Sequence, residues 1–286
     1  MKLSSVESNR QHLDGGSMFG NAPRELWQRW LPADERHRVE LACRCLLVEE
    51  LNGKTVLFEA GIGAFLEPKL ADRFGIFDQH HRLLQSLDEL GFSHEDIDAV
   101  VISHLHFDHV GGLFSAWDAG QPMRLLFPNA RIFVGHDAWE TANTPHLRDK
   151  PSFIPEQIQL LTDSGRLEIV SSKHHPFFGE QVRFEFSDGH TKGLMLSEIG
   201  GDGGVVYAAD LIPGTPWVHL PLTMGYDRFP ELVIDEKLKF LEDKLQRNVR
   251  LFYTHDPDYA LSSISKDDNG HYHAVEKKPA VTALEI

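Results

Sequence analysis

Two apolar runs near the start of the chain, residues 41–49 and 54–59, are rich in strand-forming side chains and joined by Asn52-Gly53. That dipeptide suits the left-handed backbone of a two-residue turn, so the pattern predicts a β-hairpin. The period then changes. From Gln79 to Leu90 the leucines at 83, 84, 87 and 90 recur at helical spacing, Gly91 supplies a stop, and Ser93 to Asp96 offers a fresh start. Ala99-Val100-Val101-Ile102 follows as an apolar run of strand length. Beyond it strands are predicted at 131–134, 167–170, 182–186, 194–199, 205–209 and 249–253. Helices are predicted from about Asp137 and over 234–247, and a last hairpin carries His271 and His273. This alternation predicts an α+β fold in which two sheets pack between helices.

Residues 1–38 lie outside that pattern. The stretch from Asp14 to Gly20 is glycine-rich, and Met18, Phe19, Trp27 and Trp30 are more apolar surface than a disordered tail needs. The segment is therefore expected to dock on the domain formed by residues 39–286, or on the partner subunit of a homodimer.

The run at 99–102 empties into His104-Leu105-His106-Phe107-Asp108-His109, with Gly111-Gly112 just beyond. Imidazole and carboxylate are the donors that borderline divalent ions such as zinc prefer. His104 and His106 stand two apart and share a side in extended chain, whereas Asp108 and His109 are adjacent and diverge. The spacing suggests two ions, one for each pair. The other histidines are scattered: His80, His81, His174, His175, His271 and His273 read as solvated, while His136 and His219 are less settled.

With its pieces in this order the chain resembles the metallo-β-lactamase-fold hydrolases, whose signature is HxHxDH followed by a separate His, an Asp and a final His. His190 lies in Asp188-Gly189-His190-Thr191-Lys192-Gly193, Asp210 follows the apolar strand at 205–209, and His255 follows the strand at 249–253. The resemblance implies a four-layer αββα sandwich. It also implies two divalent ions, most simply Zn²⁺, with Fe, Mn or Co acceptable to the same donors. His104, His106 and His190 would hold one ion, Asp108, His109 and His255 the other, and Asp210 would bridge. Glu59-Ala60-Gly61 departs from the family's usual Asp-Thr-Gly, and the longer Glu59 side chain leaves open whether it braces the metal loop.

The implied chemistry is hydrolysis by a metal-bridging hydroxide, since a bound Zn²⁺ can lower the pKa of water to about 7. Asp108 is the candidate to pass the proton. Within the family the chain is most similar to the quorum-quenching N-acyl homoserine lactone lactonases and the methyl parathion hydrolase-like branch, so the expected substrate is a small lactone or ester. Those lactonases commonly carry a Tyr three residues after the bridging Asp. Pro213 stands there in this chain, which makes Tyr226 the candidate donor to the leaving oxygen. Phe107, Trp217 and Phe229 are expected to line an apolar substrate pocket, with His219 at its rim. An aryl ester or phosphotriester hydrolase is the alternative. A glutathione thioester hydrolase and a non-catalytic metal-bearing ligand sensor remain as further readings.

Charge and composition narrow the partners. The net charge is −15 and no run rich in Lys or Arg occurs, which argues against nucleic acid and anionic membrane. No stretch reaches eighteen consecutive apolar residues and the first ten residues contain no apolar signal core, so a cytoplasmic location is expected. Cys43 and Cys45, the only cysteines, sit two apart in a predicted strand and read as reduced core residues.

Overall fold

The computed structural model describes residues 1–286. Seven strands form the first sheet, in the order Leu284–Glu285, Lys2–Val6, Cys45–Leu51, Lys54–Phe58, Ala99–Ile102, Arg131–Gly135 and Leu167–Val170. Six form the second, in the order Tyr272–Lys278, Leu261–Lys266, Arg250–Phe252, Val205–Tyr207, Leu194–Ile199 and Val182–Ser187. The hairpin forms as expected, with Asn52 at φ 51° and Gly53 at φ 73°. From Lys54–Phe58 onward the first sheet runs parallel, and a parallel strand covered on both faces must be apolar at every position. Ala99–Ile102 shows why its run is unbroken. Ala99 and Val101 enter the core between the sheets, while Val100 and Ile102 enter a second core beneath the helices Arg82–Glu89, His136–Asn143 and Pro155–Asp163.

On the far side, helix Pro230–Gln246 buries Val233, Phe240 and Leu241 in the inter-sheet cluster and completes the αββα layering. It starts four residues earlier than its apolar spacing indicates, because Pro230 is favourable in a first turn, where no backbone donor is needed. Helix Pro155–Asp163 begins in the same way.

Met18, Phe19 and Trp27 are buried in the inter-sheet cluster, and it is the boundary at residue 39 that needs correcting. Residues 1–38 do not lie over a domain that starts at 39: Lys2–Val6 is an interior strand of the first sheet, paired with Cys45–Leu51 on one side and Leu284–Glu285 on the other. Gln11–Asp14 then pairs with Arg38–Leu41 in a small two-stranded sheet. Cys43 and Cys45 are buried on one face of the chain and unpaired with each other. No helix is long and apolar enough to cross a membrane.

Candidate metal centre

The ligand-type side chains converge at one end of the sandwich, where the loops after 99–102, 182–187, 205–207 and 250–252 meet. His104 and His106 come from extended chain, and Phe107–Val110 then makes one helical turn that carries Asp108 and His109. Gly111 and Gly112 let this turn pack against the segment 60–62. A Cβ on Gly112 would stand 2.0 Å from the Ala60 carbonyl oxygen, and one on Gly111 2.2 Å from that of Ile62.

Two groups result: His104, His106, His190 and Asp210 in one, Asp108, His109 and His255 in the other. Asp210 faces both. Its Oδ2 lies 3.2 Å from His190 Nε2 and 3.9 Å from His104 Nε2, while Oδ1 lies 3.3 Å from both His109 Nε2 and His255 Nε2. Asp108 Oδ2 is 3.6 Å from His255 Nε2. His106 Nε2, His190 Nε2 and Asp210 Oδ1 are buried without a hydrogen-bond partner. An orphaned buried polar atom costs about 1–3 kcal/mol, and a divalent cation in each group would satisfy all of them. The donor set of imidazoles and carboxylates therefore fits two such ions.

The electrostatics divide the imidazoles: against the effect of burial, the Asp210 carboxylate holds His109 and His255 well above their ordinary range and His190 above it. Burial opposes the charge on Asp210, yet His109, His255 and His190 outweigh it and hold this carboxyl well below its ordinary range. Burial and the neighbouring imidazoles push His104 well down, and burial with His190 pushes His106 down to about 3. Both rings are neutral and have a lone pair to offer.

Five of the seven ligand-type side chains are braced from behind. Ser103 Oγ lies 2.9 Å from His104 Nδ1, His255 Nδ1 donates to the Ala42 carbonyl at 2.7 Å, and His190 Nδ1 pairs with Asp227 Oδ1 at 2.9 Å. Gln11 Nε2 donates to Asp108 Oδ2 at 2.6 Å. The Glu236 carboxylate, on helix Pro230–Gln246, accepts from Ser187 Oγ and from the backbone N–H groups of Asp188 and Gly189, which fixes the loop before His190. Glu59 spans the gap that its longer side chain left in question: Oε1 accepts from Ser103 N at 2.6 Å, and Oε2 lies 3.4 Å from His109 Nδ1. Such partners fix ring orientation and ligand basicity.

A cavity of about 410 Å³ opens over these groups, reached by His106, Asp108, His190, Asp210 and His255. Phe107 lines it, packed on Phe74 with ring centroids 4.9 Å apart, and so does Tyr226. The other expected pocket residues do not. Trp217 is 1% exposed in the inter-sheet core, stacked on Phe19 at 4.7 Å, with Nε1 donating to the Met18 carbonyl. It is Met18 that reaches the cavity. Phe229 is 51% exposed and lies outside the cavity lining, its backbone N–H donating to the Gly189 carbonyl. His219 is exposed beside Trp30, away from the cavity. His80 and His174 are exposed, but His81 is mostly buried and bonds the Phe114 carbonyl.

Cavity residues that the sequence does not announce include Gln11, Arg73, Phe74, Arg148 and Met224. Phe74 and Met224 sit in no periodic pattern, and the two arginines are far from the ligands along the chain.

Comparison with known proteins agrees with this geometry. The metallo-beta-lactamase superfamily profile matches residues 38–255. The "probable metallo-hydrolase" Rv2300c of Mycobacterium tuberculosis is 26% identical over 248 residues, which span 78% of this chain and 74% of that protein. Among solved structures, a "probable metal-dependent hydrolase" from Staphylococcus aureus superposes with a TM-score of 0.84 at 26% identity, covering 96% of both chains. AidC, described as a dizinc quorum-quenching lactonase in complex with a product, superposes with a TM-score of 0.76 at 22% identity, over 96% of this chain and 94% of its own.

Proposed function

The chain belongs to the metallo-beta-lactamase superfamily, and from that premise we propose that it is a dinuclear metallohydrolase that opens a lactone or cleaves an ester, with N-acyl homoserine lactones as the leading substrate class. The observation that carries the proposal is Asp210, whose two oxygens face two separate ligand groups beneath one cavity. His104, His106 and His190 would hold one ion, Asp108, His109 and His255 the other, with Asp210 between them. Two such ions would supply Lewis acidity and a water made nucleophilic near neutral pH.

The protein's own groups do the rest. Phe107, Phe74, Met18 and Met224 give the acyl group an apolar wall and exclude water. Asp108 sits at the cavity with Oδ2 held by Gln11, and in this proposal that carboxylate takes the proton of the attacking water and returns it to the leaving oxygen. Tyr226 is the only tyrosine on the cavity, 40% exposed, and burial of its ring pushes the phenol above its ordinary pKa. It is therefore protonated at neutral pH and can donate to the leaving alkoxide. Pro213 lends only its backbone, its carbonyl accepting from His255 N at 2.9 Å.

That Tyr226 must act from a different loop favours a second reading, hydrolysis of aryl esters or phosphotriesters whose leaving groups need no donor. The deciding experiment is turnover of zinc-loaded protein on N-acyl homoserine lactones, aryl esters, phosphotriesters and glutathione thioesters. The proposal expects lactones to give the highest kcat/KM. A dominant phosphotriester or thioester would replace it.

A further inference from the structure

Two arginines stand on the same cavity without an anionic partner. Arg148 is anchored, its Nη2 donating to the carbonyls of Gly225 at 2.7 Å and Asp227 at 3.3 Å, but it forms no ion pair and its remaining N–H donors are uncommitted. Arg73, at the end of helix Pro68–Arg73, bonds nothing in the protein and lies 6.0 Å from the centre of the Phe74 ring. No carboxylate of the cavity pairs with either arginine, although Asp149 Oδ1 is buried there without a partner. Asp108 and Asp210 belong to the ligand groups, and Asp149 is held by Arg228 at 3.1 Å.

In a chain of net charge −15, long-range repulsion opposes an anionic ligand, so a site for one requires local cations. The planar fork of arginine matches a carboxylate with two parallel hydrogen bonds. Arg73 and Arg148 are both exposed, on the same cavity as the apolar side chains of Phe74, Phe107 and Met224, so their free donors are open to an incoming ligand.

We propose that Arg73 and Arg148 form a carboxylate-recognition subsite, so that, at equal chain length, an acyl chain that ends in a carboxylate is preferred over a neutral one. This rests on the hydrolase reading of the same cavity and refines it. The reacting carbonyl would sit over the two ligand groups with the charged end at the arginines, and a neutral chain of the same length would leave both arginines unused.

The test uses zinc-loaded full-length protein and two 4-nitrophenyl esters of equal acyl length, the neutral valerate and the hemiglutarate. The wild type should favour the hemiglutarate in kcat/KM. Arg73→Gln combined with Arg148→Gln should lower the hemiglutarate-to-valerate ratio by about 10-fold to 100-fold, mainly through KM, as expected when charged hydrogen bonds are lost. Arg148→Gln also loosens the loop that it anchors, so Arg73→Gln alone, at a side chain with no internal bond, must lower the ratio too. An unchanged ratio in the double variant, or a wild type that favours the valerate, overturns the subsite. If neither ester is cleaved, the hydrolase reading fails separately, and calorimetry decides the subsite. Glutarate binding weakened about 10-fold or more in the double variant, with valerate binding unaffected, supports it; equal glutarate affinity in both proteins overturns it.

Discussion

The floor and the wall of the cavity are built on opposite principles. On the floor, four loops converge and four of the seven ligand-type side chains are hydrogen-bonded from behind: His104 by Ser103, His190 by Asp227, His255 by the Ala42 carbonyl, and Asp108 by Gln11. The backbone is strained there as well, with Glu59 at φ 68° and Ala209 at φ 43° in the left-handed region. Non-glycine residues adopt that region at a cost of order 1–3 kcal/mol, sustained only where surrounding contacts over-determine the geometry. The wall has little of this. Tyr226 and the two arginines come from loops or a helix end and have few internal bonds. A rigid floor can hold an invariant chemistry while an exposed wall selects the substrate.

That contrast can be broken most forcefully at Asp210. Asp210→Asn should reduce turnover by about 10²-fold or more, since the bridging charge is lost from both ligand groups at once. His174→Ala, at an exposed residue far from the cavity, is the control, and equal losses in the two variants would contradict the ligand assignment. Next comes the bracing. Asp227→Asn should weaken zinc retention by about 10-fold to 100-fold, read by competition with a chelator, because Asp227 both pairs with His190 and accepts from the Met224 backbone.

On the wall, Tyr226→Phe should lower kcat for a lactone by about 10-fold, the loss of one transition-state hydrogen bond, with zinc content unchanged. A smaller drop with an aryl ester would sharpen the leaving-group role, and no drop with either substrate removes Tyr226 from the reaction. Trp217→Phe should be smallest in activity. It leaves KM within about twofold and lowers the unfolding midpoint, because the indole packs in the core and not on the substrate. A KM change with unaltered stability would return Trp217 to the pocket.

How much of this was legible follows the same division. The hairpin and the strand at 99–102 could be read because Asn52-Gly53 and an unbroken apolar run each have a local cause. The ligand cluster could be read because four donors lie within six residues. Lys2–Val6 could not: three of the five residues in KLSSV are polar, and it becomes a strand only through partners at 45–49 and 284–285. The braces were hidden for the same reason. Gln11 is 97 positions from Asp108 and Asp227 is 37 from His190, so no local pattern announces either. Trp217 and Phe229 show the converse: aromatic character alone does not say which face a side chain takes, and the first packs in the inter-sheet core while the second is exposed.

The claim on which everything else depends is that two ions share Asp210. The direct measurement is elemental analysis of protein saturated with zinc and freed of excess metal, on the wild type and on Asp210→Asn. The account predicts two zinc ions per wild-type chain, with retention sharply reduced in the variant. A wild-type stoichiometry that stays at one ion per chain would contradict it.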